Sequence, residues 1–394
     1  MPLKLGEISQ SILEMARQAT TPERQAYIER ALELLHAIDP ELLRHKIDEQ
    51  KGTAERTPWL VARPIGTLNG KFAAPKPPQD FSVVAADGSA IPPQRYGLMP
   101  FFVINTGCAA LTYGAHPGAV LDSETRLYFR DEELYALPES RDGPIEAARL
   151  GAKMAVEELG YLLRVVQGVE KPAIALYDGS LILWPIQNEV REVRQKFVGD
   201  FLDSLDGFRS LGVPIASYIS HTDAQDLVNA LRIWLCGRRP RNCKACAQAP
   251  TGAQELCMGL ASIRDYALLA NLLDPGERTD LFESQSAILQ GYRQHRVRFF
   301  YLNVGGEISR VEVPAWVAGD EEMLDLVHAL IVDQCRRSPD HPPYPPALQE
   351  AHEQAVIHTA EHRLLEEMIE RALAERNIIH ARGAKDISKR RRGV

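Results

Sequence analysis

Two short stretches end an apolar run in the same three residues. In "FSVVAADGSA" the run Val83, Val84, Ala85, Ala86 leads to Asp87-Gly88-Ser89, and in "AIALYDGSL" the run Ile174, Ala175, Leu176, Tyr177 leads to Asp178-Gly179-Ser180. Asp-Gly is a common tight-turn pair, so either copy alone reads as a turn. Two copies closing two strand-like runs suggest instead two carboxylates brought together from distant parts of the chain. A carboxylate at the end of a buried strand is held rigidly, and the glycine beside it allows close backbone approach. Two such groups raise each other's proton affinity unless a cation lies between them. Hard oxygen donors select Mn²⁺ or Mg²⁺. A site of that kind polarises a phosphoryl oxygen and activates water, which is the chemistry of phosphodiester hydrolysis.

Further donors are needed, and three places offer them. The stretch "GPIEAARLGAKMAVEELGYLLRVVQG" carries Glu157 and Glu158 on a helix whose apolar face is Ala152, Ala155, Val156, Leu159, Leu162, Leu163 and Val166. By helical phase Glu158 flanks that face and Glu157 points nearly opposite, so Glu158 is the better third ligand. Two solvated glutamates are the alternative. "PPYPPALQEAHEQAVI" places Tyr344 in a stiff proline-flanked loop and His352 eight residues later, early in a helix, where imidazole can ligate metal or carry a proton. Cys236, Cys243, Cys246 and Cys257 form a C-x6-C-x2-C-x10-C cluster, which points to a separate thiolate site for zinc or a [4Fe-4S] cluster. Arg238, Arg239, Arg241 and Lys244 lie among them and offer contacts to a DNA backbone. Cys108 and Cys335 read as core residues.

The elements that must position these groups follow from composition and periodicity. The chain has 394 residues, 45% hydrophobic and 25% charged, with a net charge of −8. It can bury a large core, and the acidic balance does not advertise a nucleic-acid binder, although a nuclease needs only a local basic groove. No apolar run reaches the length of a membrane span and the N-terminus is not a signal peptide, so a cytoplasmic protein is expected. Residues 1–75 read as an N-terminal helical extension and 76–385 as the main domain, interrupted by a cysteine-rich insertion at 236–257. The run Lys389–Arg392 makes 386–394 a basic tail. Within the main domain come three strands, a long helix, a strand closed by the second Asp-Gly-Ser, another helix and another strand. A hairpin around Gly305-Gly306 and helices at 258–274, 320–336 and up to about 376 follow. That order implies an α/β fold with a mixed sheet flanked by helices. No Walker-type loop is present, so any ATP use belongs to a partner.

The order of "DGS", a helix glutamate, "DGSL", "PIASYISHTDAQDLVNAL" and "YPPALQEAH" resembles the NurA nucleases over residues 80 to 375. The resemblance implies an RNase H-like fold and a Mn²⁺-dependent deoxyribonuclease, a single-strand exonuclease working from the 5′ end and also an endonuclease. It implies processing of broken DNA ends with a HerA-type hexameric ATPase, and a homodimer. Asp87 and Asp178 correspond to the family's metal-binding aspartates, Glu158 or Glu157 to its helix glutamate, and Tyr344 and His352 to its C-terminal pair. By that reading Asp87, Asp178 and Glu158 hold the metal, His352 completes the site or transfers a proton, and Tyr344 orients DNA or water. The chain departs from the family in Pro346-Ala347, where Pro-Leu is usual, and in the cysteine insertion. Two rival readings are a non-catalytic NurA-like adaptor that binds HerA or DNA, and a metallophosphatase.

Overall fold

Alternation along the first apolar run sets the architecture. Val84 and Ala86 face one hydrophobic layer, with Leu159 and Phe201, while Val83 and Ala85 face the other, with Leu330 and Ala351. A strand covered on both faces reads as a continuous apolar run rather than as an alternating one, which is what the sequence shows. The structure, a computed structural model, describes residues 5–19, 21–49, 59–93, 100–139, 144–237, 243 and 252–377. Cys246, Arg238, Arg239, Arg241, Lys244 and the basic tail at 386–394 lie outside the described residues.

The strands are β1 (Ala62–Pro64), β2 (Lys71–Ala73), β3 (Phe81–Ile91), β4 (Phe102–Tyr113), β5 (Gly118–Tyr128) and β6 (Ala173–Asp178). They continue with β7 (Ile215–Ile219), β8 (Glu277–Thr279), β9 (Phe282–Ser284), β10 (Val297–Asn303) and β11 (Ile308–Pro314). All join one mixed sheet in the order β1-β9-β10-β11-β7-β6-β3-β4-β5, with β8 pairing β10 and β2. At one end β3, β4 and β5 pair antiparallel. From β3 the pairing turns parallel through β6 to β7, then antiparallel again at β11. A long helix precedes each strand that joins in parallel, Ala148–Val166 before β6 and Arg191–Leu211 before β7. Both helices pack on the face of Val84 and Ala86. Gly212, at φ 63, ends the second of them in the left-handed conformation that glycine adopts without strain.

Helices Glu321–Arg337 and Pro346–Ala355 cover the opposite face. A further core packs helices Pro22–Ala37, Pro40–Asp48 and Asp226–Leu235 against Phe282, Phe299 and Tyr301 of the sheet. Residues 62–64 and 71–73, within the expected N-terminal extension, are therefore strands of the sheet itself, bonded to β9 and β8.

Two local expectations are corrected and one is met. The first Asp-Gly-Ser does not end its strand: β3 runs on to Ile91 because β4 pairs with it along its whole length, through Ile91↔Val103. The strand expected to close at the second Asp-Gly-Ser does end at Asp178, where Gly179 takes φ +96 and the chain turns into a short 3-10 helix at Trp184–Ile186. The helices expected at 258–274 and up to 376 are each two pieces, Ala253–Leu260 with Asp265–Leu269, and Pro346–Ala355 with Thr359–Ala374. In the last case the Ala355 carbonyl is taken by Ser89 Oγ and Asn105 Nδ2 rather than by a continuing helix. His358 N–H, bonded to Glu361 Oε2, begins the next helix.

Candidate active site

Register brings the two aspartates together. The parallel β3–β6 ladder ends at Ala86↔Tyr177, so Asp87 and Asp178 stand next on adjacent strands, whose separation in a sheet is about 4.8 Å. Asp87 shares the face of Val83 and Ala85, and Asp178 that of Ile174 and Leu176, so both point into the layer that carries Tyr344 and helix Pro346–Ala355.

Both C-terminal candidates reach them. His352 Nδ1 lies 2.6 Å from Asp87 Oδ2. An ionised carboxylate only accepts, so Nδ1 carries the proton and Nε2 is left for solvent or substrate. Tyr344 donates its hydroxyl to Asp178 Oδ2 at 3.1 Å, and its ring meets Tyr218 edge-on at 5.5 Å. Tyr218 is the β7 partner of Asp178, so the tyrosine loop sits over the end of the parallel ladder.

Glu158 arrives from the other side of the sheet. It is 4% exposed, on the helix that covers the opposite face. A Cβ on Gly88 would lie 2.2 Å from Glu158 Oε1, so the missing side chain of Gly88 is the space through which the carboxylate reaches the strand. Gly107, the β4 partner of Asp87, does the same on the near face: a Cβ there would lie 2.4 Å from Ala351 O and 2.4 Å from Ala355 N. The helix bearing His352 therefore rests directly on the backbone of β4. The sequence reading did not single out Gly107, because its role depends on a helix some 250 residues away.

Electrostatics mark the cluster. Burial, then the charges of Asp87 and Asp178, push the Glu158 carboxyl up to about 8, against the hydrogen bond from Tyr177. Burial and Asp87 likewise raise Asp178, opposed by the Tyr344 hydrogen bond. Burial and the neighbouring Asp178 raise the Tyr344 hydroxyl, which stays protonated as a donor. Glu157 is different. Its carboxylate is held by Lys153 Nζ at 2.6 Å and Arg126 Nη1 at 3.0 Å. Burial alone would raise it, but Lys153 and then Arg126 bring it below the usual range. Of the two candidates, Glu158 is the one at the aspartates.

The donor set is right in kind for a hard divalent cation: crowded carboxylates, of which Glu158 and Asp178 have their proton affinity raised by burial and by their acidic neighbours. Among the described residues, no three His, Cys, Asp or Glu side chains already form a ligand cage. His352 and Tyr344 instead hold the aspartates by hydrogen bonds. The cysteine expectation gains no support. The Cys257 thiol faces the Arg232 carbonyl at 3.9 Å on the neighbouring helix, and Cys246 lies outside the described residues. Cys108 and Cys335 are buried core residues, as expected. No helix among the described residues is long and apolar enough to cross a membrane.

The NurA domain family matches residues 81–357 of the chain. Among solved structures, the crystal structure of the NurA nuclease from Sulfolobus solfataricus is similar over 94% of this chain and 96% of that one, with a TM-score of 0.50 at 13% identity. A second, the crystal structure of NurA with manganese, aligns over 77% of this chain and 90% of that one, with a TM-score of 0.37 and 14% identity. No curated protein matches the chain.

Proposed function

The chain belongs to the NurA domain family, and we propose that it is a metal-dependent deoxyribonuclease whose centre is Asp87, Glu158, Asp178, Tyr344 and His352. The observation that supports this most is the convergence of three carboxylates from two strands and a helix, with Glu158 raised to about 8 by burial and by the two aspartates. Left without a cation, that arrangement is costly; around one, it is a binding site.

Asp87, Glu158 and Asp178 would hold Mn²⁺ or Mg²⁺, which when bound supplies Lewis acidity at the phosphate and lowers the pKa of water. The remaining steps belong to the chain. Tyr344, donating to Oδ2 of Asp178, fixes which lone pairs of that carboxylate face the site. His352, with Nδ1 bound to Asp87, presents Nε2 to solvent and is placed to pass a proton to or from the scissile phosphate. Gly88 and Gly107 admit Glu158 and the His352 helix to contact distance.

The strand order β5-β4-β3-β6-β7, two antiparallel then two parallel steps, is read as an RNase H-like core. The finer reading is a nuclease that digests single-stranded DNA from the 5′ end and also cuts internally. It would trim broken ends in the cytoplasm as a homodimer, with a HerA-type hexameric ATPase supplying any ATP use. The test is incubation of the purified chain with end-labelled single-stranded DNA and Mn²⁺, beside Asp87→Ala. Cleavage by the native chain and none by the variant supports the reading. Equal cleavage by both, or none by either, defeats it.

A further inference from the structure

Asp178 is followed by a turn held from several directions. Ser180 Oγ donates to Glu312 Oε2 at 2.7 Å and accepts from Ile182 N–H and from Trp184 Nε1–H, each at 3.0 Å. Leu181 N–H donates to the same Glu312 oxygen at 3.0 Å, and Leu183 N–H to the Tyr292 hydroxyl at 2.9 Å. Glu312 lies on β11, two strands from β6, and is 1% exposed. Its other oxygen accepts from Arg310 Nε at 2.9 Å, and Arg310 Nη1 reaches Asp226 Oδ2 at 3.1 Å.

A carboxylate buried this deeply is costly unless paired and hydrogen-bonded, and an apolar side chain of the same shape often serves stability as well. Here one oxygen is neutralised by Arg310 while the other is directed wholly at the two residues that follow Gly179. Gly179, at φ +96, is the pivot between that anchored turn and the aspartate. From this geometry we infer that Glu312 and Ser180 are positioning residues that fix the orientation of the Asp178 carboxylate toward a divalent cation. The inference rests on the metal-centre reading above. It extends that reading to groups that touch neither cation nor substrate. Partners of this outer kind typically change metal affinity by roughly 10- to 100-fold when removed.

The test uses the full chain and Mn²⁺ alone, with free Mn²⁺ followed by electron paramagnetic resonance and the metal-free melting temperature measured beside it. Ser180→Ala removes the hydroxyl at little cost to packing, Ser180→Thr restores it, Glu312→Gln removes the charge, and Asp178→Asn serves as the reference. Ser180→Ala and Glu312→Gln are expected to weaken Mn²⁺ binding by about tenfold, with Ser180→Thr near the native affinity. Native affinity in Ser180→Ala, whether or not its melting temperature falls, overturns the inference and leaves the metal centre standing if Asp178→Asn has lost binding. Native affinity in Asp178→Asn overturns the metal centre, and the inference with it.

Discussion

Gly88 and Glu158 share one space: a methyl group on the glycine would sit 2.2 Å from the glutamate's Oε1. The clash is with the end of a flexible side chain, which can swing away, so Gly88→Ala should leave the fold intact. An alanine inside a strand is even favoured over glycine by roughly 0.5–1 kcal/mol. Cleavage should nevertheless fall by at least about tenfold, the scale on which a misplaced group costs rate. Melting curves and cleavage rates of Gly88→Ala measured together check this. Native activity would mean that Glu158 does not act from where it stands.

Gly107→Ala should behave oppositely. Its Cβ would meet the backbone of Ala351 and Ala355, which cannot rotate aside. The helix must lift from β4, and a loss of stability of about 1–3 kcal/mol is expected, the usual cost of overpacking. Activity should fall as well, since His352 moves with the helix. Chemical denaturation of the variant against the native chain measures the first effect.

The two neighbouring glutamates should separate cleanly. Glu158→Gln should remove most Mn²⁺-dependent cleavage. Glu157→Gln, which touches Lys153 and Arg126 rather than the aspartates, should stay within about twofold of native activity and lose on the order of 1 kcal/mol or less of stability.

The pH dependence follows from the raised carboxyl of Glu158. Its folded-state value, about 8, lies above the ordinary 4.5, so the folded state binds a proton that the unfolded state has already released. The stabilisation from this group is complete below about pH 4.5 and is lost as pH rises toward 8. In chelator, the melting temperature of the native chain should therefore fall across that window more steeply than that of Glu158→Gln. Mn²⁺ displaces the proton, so the stabilisation it gives should grow with pH over the same range. Thermal melts at pH 5, 6, 7 and 8, with and without metal, read both trends.

Tyr344→Phe removes one hydrogen bond to Asp178 and keeps the ring contact with Tyr218. A bond to a charged group contributes about 1.5–3 kcal/mol to stability, so the melting temperature should fall by several degrees, and cleavage should fall as well because Asp178 loses the partner that orients it. Steady-state rates at saturating Mn²⁺ check it.

The grouping of the candidate site was legible in the sequence where its signals were local. Asp87 and Asp178 each stand after an apolar run, and helical phase separates Glu158 from Glu157 without knowledge of any partner. Tyr344 and His352 became readable through the order of motifs. What was not legible depends on packing between distant segments. Whether a strand stops at its aspartate is decided by its neighbours: β4 carries β3 four residues past Asp87, while β6 ends at Asp178 because Gly179 turns. Gly107, Asn105 and Glu312 look unremarkable in the sequence, since their roles belong to a helix or a turn that the fold delivers from elsewhere. β1 and β2, three residues each, are too short to show a period.

The exposures of the site residues differ sharply: 57% for the His352 side chain and 18% for that of Asp87, with Glu158 nearly sealed. The imidazole thus stands toward solvent while the carboxylates beside it are largely covered. Any substrate arriving from water therefore meets the His352 ring before it meets the carboxylates.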